Sequence, residues 1–239
     1  MEIADNFNAI MNRIATAAVR SGREPSSVKL VAVTKTVDVE RIREAISAGA
    51  TILGENRVQE AKEKIEQLGP IAQWHLIGHL QTNKARNAVR LFTMIHSVDS
   101  LELAKELDKQ AVKFGKIQDV LIEVNIAGEA SKAGVAVRDL GAVVQEAAKL
   151  KYISIKGLMT MPPFLDDPEA VRPYFRRLRD LAEGIEKENI PGLSLRELSM
   201  GMSGDFEVAI EEGATMVRVG TAIFGSRKQP GECKVQIAQ

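Results

Sequence analysis

Apolar runs too short to be helices alternate with stretches of helical spacing along nearly the whole of this chain. The first run, Val28-Lys29-Leu30-Val31-Ala32-Val33-Thr34, is apolar at successive positions, which predicts a strand covered on both faces. Further strands are predicted over residues 50–53, 73–77, 93–98, 120–126, 153–161, 195–200 and 216–224. Helical patterns follow them, over 39–48, 57–68, 82–91, 101–114, 138–150, 169–188 and 205–212. One more amphipathic stretch, about 2–21, precedes the first strand, with Ile10, Ile14, Ala17 and Ala18 at helical spacing.

Eight strands alternating with helices, without a Gly/Ser/Pro-rich linker, predict an α/β fold in which residues 1–239 form one domain. The expected architecture is a (β/α)8 TIM-type barrel over about 28–226, with the extra N-terminal helix before it and a polar tail after it. A doubly wound open sheet is the rival. It would normally open on a glycine-rich turn, and Thr34-Lys35-Thr36-Val37 contains no glycine.

Charge and cysteine content remove several function classes. Lys plus Arg (32) equals Asp plus Glu (32), so no overall field points to nucleic acid or to an anionic membrane. The single cysteine, Cys233, falls in the polar tail, which excludes an internal disulfide and a cysteine-based metal cluster; no metal site is expected. No apolar stretch approaches the roughly 20 residues that span a bilayer. Met1-Glu2-Ile3-Ala4-Asp5 has neither the basic nor the apolar region of a signal peptide, and the expected location is cytoplasmic.

Polar residues gather where the predicted strands end, the edge at which barrels build their sites. Lys35 follows the first strand, Glu55 and Asn56 the second, and His79 the third, with Gln81, Asn83 and Lys84 in its loop. Met159 and Thr160 close the sixth, Ser199, Gly201 and Ser203 the seventh, and Arg218, Gly220 and Thr221 the eighth. A partly desolvated lysine at a strand-to-helix junction has a lowered pKa and an amine able to attack a carbonyl. Ser199-Met200-Gly201-Met202-Ser203 and Gly220-Thr221 join glycines, which admit close backbone approach, to hydroxyls, the composition of a phosphate cradle. Asn56 also has the makings of a helix cap. Arg218 shares a strand face with Gly220, and pairing with Glu197 or Glu55 and contact with a ligand are both open to it.

A Schiff-base lysine and a phosphate cradle on adjoining strands describe pyridoxal 5′-phosphate (PLP). Lys35 would meet its aldehyde, Ser199, Ser203, Gly220 and Thr221 its phosphate, and Arg218 its pyridine nitrogen. An arginine stays charged, so it disfavours protonation of that nitrogen and weakens the cofactor as an electron sink. Asn56, His79 and Met159 complete the candidate cofactor-binding set.

These residues sit in segments that resemble the YggS/PROSC family of PLP homeostasis proteins. The matching stretches include Leu30-Val31-Ala32-Val33-Thr34-Lys35, Gly54-Glu55-Asn56-Arg57-Val58-Gln59-Glu60, Trp74-His75-Leu76-Ile77-Gly78-His79-Leu80-Gln81-Thr82-Asn83-Lys84, Gly157-Leu158-Met159-Thr160-Met161 and Arg218-Val219-Gly220-Thr221-Ala222-Ile223-Phe224-Gly225. The resemblance implies a fold like the N-terminal barrel of alanine racemase, with the PLP lysine at Lys35. It also implies a role in maintaining PLP and amino- and keto-acid balance, without catalytic residues. Gly204 stands where many members carry an acidic residue; Asp205 remains.

Two function classes follow: a non-catalytic PLP carrier, and a PLP-dependent amino-acid racemase of low activity. In alanine racemase the base opposing the lysine is a tyrosine from a second, β-rich domain of the partner subunit. This chain ends about 15 residues after its last predicted strand, and its tyrosines, Tyr152 and Tyr174, lie away from the strand ends. The carrier reading is therefore the expectation, with a monomer, no catalytic residue, and PLP-requiring apoenzymes as possible recipients. A Schiff-base barrel acting on sugars or phosphates is more distant, since strand ends four and five offer mainly Ser97, Asp99 and Asn125.

Overall fold

The computed structural model of the protein describes residues 2–129 and 133–225. Strands β1 (Lys29–Val33), β2 (Ile52–Glu55), β3 (Gln73–Leu76), β4 (Met94–Val98), β5 (Gln118–Asn125), β7 (Ile153–Met159), β8 (Glu197–Ser199) and β9 (Met216–Val219) form one parallel sheet. Its order is β4-β3-β2-β1-β9-β8-β7-β5, and pairing of β4 with β5 closes it into a barrel. A two-residue strand, β6 (Val135–Ala136), adds to β5 outside the ring. Helices α2 (Val39–Ser47), α3 (Val58–Leu68), α4 (Ala85–Leu91), α5 (Leu101–Phe114), α6 (Leu140–Ala147), α7 (Pro168–Glu186), α8 (Phe206–Glu211) and α9 (Thr221–Phe224) cover the outside. The expected tail with Cys233 lies outside the described residues, and none of the described helices is long and apolar enough to cross a membrane.

Strand parity separates two apolar layers. On β1, Leu30 and Ala32 face the helices, while Val31 and Val33 join Ile52, Ile77, Met94, Leu121, Met159 and Met216 inside the barrel. The inner layer also holds buried polar groups: His75, His96, Glu123, Ser199 and Arg218. The N-terminal helix α1 (Glu2–Arg20) buries Ile3, Phe7, Ile10 and Ile14. It is tied to the last two barrel units by Asn6 Nδ2 to Ile223 O at 3.1 Å and by Arg13 to Glu207 at 2.8 Å.

Two strand ends differ from the sequence reading. The last strand stops at Val219 instead of 224, because the backbone turns at Gly220 (φ −122°, ψ −72°) and the apolar run after it forms α9. The strand expected to reach 161 stops at Met159, and the Met161-Pro162-Pro163 segment leaves the sheet.

Candidate functional site

Lys35 stands just beyond β1, half-buried, in a turn closed by Val37 N–H to Thr34 O at 3.0 Å. β1 and β9 pair in register, Val31 opposite Arg218 and Ala32 opposite Val219, so their C-terminal ends emerge side by side. Between these ends lies a cavity of about 640 Å³, lined in part by Lys35, Thr36, Arg41, Gly220 and Thr221. That volume suits a small phosphorylated cofactor. Gly220 lies close against the end of β1: a Cβ there would be 3.2 Å from Val33 O. At Gly201 the demand is stronger, since its φ of +90° belongs to glycine and a Cβ would fall 2.6 Å from that of Ala209.

Beneath Gly220, on the same inner face, Arg218 is buried and fully oriented. Its Nη1 donates to Ser199 Oγ at 2.6 Å and its Nη2 to Thr160 O at 2.9 Å. Ser199 Oγ lies 2.9 Å from His96 Nδ1, and His96 Nε2 lies 3.0 Å from His75 Nδ1. A guanidinium only donates, so Ser199 Oγ accepts from Arg218, while the His96 tautomer sets the direction of the contact between Ser199 Oγ and His96 Nδ1. Arg218, Ser199, His96 and His75 thus form one hydrogen-bonded row across the barrel. Burial pushes Arg218 down to about 10, against Glu123 and Asp205, which leaves it charged at neutral pH. Neither carboxylate left open by the sequence pairs with it: Glu197 bonds Lys29 and Thr215, and Glu55 bonds Lys64 and Thr34.

The two imidazoles make a testable contribution to acid stability. Burial, helped by the charge on Lys29, lowers His75 from 6.5 to about 4, and burial holds His96 well below 6.5. A histidine depressed in the fold takes up its proton more readily when unfolded, so its contribution is intact above pH 6.5 and is lost as pH falls toward 4. The stability advantage of the wild type over His75→Asn is therefore expected to shrink steadily across that window in denaturant titrations. An advantage independent of pH would contradict the neutral row.

The other expected site residues divide by position. Thr221 lines the cavity and is exposed; Ser203 is half-buried in the loop after β8. Ser199 is enclosed, and its hydroxyl is already taken by Arg218 and His96, so it is placed to orient Arg218 and not to meet a phosphate. His79 sits on the rim with Nδ1 3.2 Å from Asp99. Met159 lies fully buried in the inner apolar layer. Asn56 follows β2, pressed against Gly78, whose Cβ would come within 2.5 Å of Asn56 O. The helix after it starts without a side-chain cap, so the capping role is not used. Arg41, which lines the cavity from α2, was missed because a lone helical arginine six residues past Lys35 reads as solvated.

Comparisons with known proteins place the chain among relatives of two kinds. The family model described as alanine racemase, N-terminal domain, matches residues 5–228. The chain is 46% identical over 229 residues to a pyridoxal phosphate homeostasis protein of Aquifex aeolicus, covering 95% of this chain and 100% of the relative. The structure of PipY of Synechococcus elongatus PCC7942 with PLP bound superposes with a TM-score of 0.79 at 41% identity, covering 90% of this chain and 100% of that one. An alanine racemase of Clostridium difficile 630 shares the fold, with a TM-score of 0.72 at 17% identity, over 95% of this chain and 58% of the racemase.

Proposed function

The chain belongs to the alanine racemase N-terminal domain family and, within it, to the pyridoxal phosphate homeostasis proteins, and on that premise we propose that it binds PLP at the β1–β9 edge and holds it for other proteins. Bound PLP supplies an electrophilic aldehyde that condenses reversibly with amines. Lys35 provides the protein's amine. The backbone at Gly220, with the hydroxyls of Thr221 and Ser203, takes the phosphate. Arg218, charged and fixed by Ser199 and Thr160, faces the pyridine nitrogen and keeps a proton off it. Met159 forms apolar floor, while Asn56 and His79 border the ring. The lining supports the fit at one end of the group: the cavity has an amine at Lys35 and the Gly220–Thr221 backbone and hydroxyl beside it, whereas Arg218, Ser203, Met159, Asn56 and His79 lie outside its lining.

A single observation bears most of the weight. Lys35, Gly220 and Thr221 line one cavity, although 185 residues separate the lysine from the glycine (220 − 35). The phosphate assignment is tested by comparing PLP with phosphate-free pyridoxal in equilibrium binding. Pyridoxal is expected to bind far more weakly, and Thr221→Ala or Ser203→Ala each to weaken PLP retention by about 1.5–3 kcal/mol, one charge-assisted hydrogen bond. Equal affinity for the two aldehydes would rule the cradle out.

We read the role as carriage without amino-acid turnover. Tyr152 is exposed at the start of β7, at the opposite end of the barrel from Lys35, and Tyr174 packs on the outer layer from α7. Neither is placed to oppose Lys35 across a substrate. His79, the rim histidine, is held by Asp99. In this reading the chain works in the cytoplasm as a monomeric single-barrel unit, and PLP-requiring apoenzymes are its recipients.

A further inference from the structure

Thr36, next to Lys35, has φ of +62°, a conformation that β-branched residues avoid. The only other non-glycine residue with positive φ among the described residues is Asn189, of a type that tolerates it. Thr36 is the third residue of the Thr34–Val37 turn, where a positive φ normally calls for glycine. A strained threonine beside a functional lysine needs something to hold it there.

The restraint comes from α3. Glu60 Oε1 accepts the Thr36 backbone N–H at 2.5 Å. Lys64, one helical turn on, is buried, and its Nζ donates to Glu60 Oε1 at 2.7 Å, Glu55 Oε1 at 2.7 Å and Thr34 O at 2.6 Å. An ammonium has three N–H donors, and all three are engaged. Thr34 Oγ1 completes the cluster with a bond to Glu55 Oε1 at 2.7 Å. Burial works against the Glu60 carboxylate, yet the bonds from Lys64 and the Thr36 amide hold it below the usual carboxylate range. The carbonyl before Lys35 and the amide after it are thus gripped by one lysine–glutamate pair on a neighbouring helix.

We propose that Glu60 and Lys64 are positioning residues for Lys35, clamping both flanking peptide groups so that its side chain leaves the turn toward the β1–β9 cavity. The inference rests on Lys35 being the PLP-linking amine. It makes the i, i+4 pair on α3 part of the binding apparatus, acting on the lysine through the backbone. It also explains why a threonine occupies a glycine position: the clamp enforces the turn, while threonine leaves the backbone beside the lysine less freedom than glycine would.

The test compares Glu60→Ala with Glu60→Gln in the full chain. Glutamine keeps an oxygen that accepts from Thr36 and Lys64; alanine keeps none. Two quantities are read: hydrogen exchange of the Thr36 amide in PLP-free protein, and the association rate of PLP. Glu60→Ala should speed the exchange and slow association by about tenfold or more each, the loss of one charge-assisted hydrogen bond. Glu60→Gln should hold both within about threefold of wild type. Glu60 is a quarter exposed, so the alanine protein is expected to fold, and its melting temperature without PLP checks this. Unchanged exchange and association in Glu60→Ala, or glutamine behaving like alanine, would overturn the clamp. A lowered melting temperature with unchanged association would reduce the contact to a structural one and overturn it equally. If wild-type protein does not link PLP at Lys35, the site reading fails, whereas Thr36 exchange reports on the clamp by itself.

Discussion

Lys35→Ala is expected to abolish the near-visible absorbance of protein-linked PLP and to leave only the weak retention that the phosphate loop and Arg218 provide. The lysine emerges from β1 beside Gly220 and Thr221 and lines one cavity with them. On the proposed site, removing it would delete the covalent contact and leave the noncovalent cradle in place. Its neighbours Thr34 and Thr36 remain tied to α3, so the turn and the barrel should survive the substitution. An absorbance titration with PLP, beside a thermal melt of the PLP-free variant, measures both. A variant that keeps the wild-type band would move the linkage to another amine, with Lys84 and Lys156 the residues to map first.

The second large effect concerns turnover. Incubated in deuterated water with a panel of L- and D-amino acids, the PLP-loaded protein is expected to exchange Cα hydrogen no faster than free PLP does. Arg218 remains charged and is fixed by Ser199 and Thr160, an arrangement that disfavours protonation of a nitrogen facing it and so weakens carbanion chemistry. Neither tyrosine is placed across from Lys35. Exchange near the enzyme median of about 10 s⁻¹ would restore the racemase reading.

Much of this architecture is legible in residue order because a parallel barrel imposes doubly buried strands. The run at 28–34 and its seven successors carry that pattern, and the closed ring contains all eight. Strand ends are less legible: Thr221–Phe224 is apolar enough to extend a strand, yet Gly220 turns it into a helix. The two residues of β6 are too few to produce a period. Among site residues, Arg218 points inward to Ser199 and Thr160, while Gly220, read on the same strand face, lies past the end of β9 where the backbone turns. The same parity places Glu55 outward, toward Lys64, because Ile52 faces in. Ser199, expected at a phosphate, instead points in, and its partners are His96, 103 positions away, and Arg218. Glu60 and Lys64 read as an ordinary surface pair at i, i+4 spacing; only the packing of α3 against the Lys35 turn reveals their partners.

The central claim is that this barrel holds PLP through Lys35. The most direct measurement is borohydride reduction of the wild-type protein loaded with PLP, followed by proteolysis and mass analysis of the modified peptide. The reduced cofactor mass is expected on Lys35 alone, at close to one per chain. A label on another lysine, or none after reduction of a protein that demonstrably retains PLP, would contradict the account.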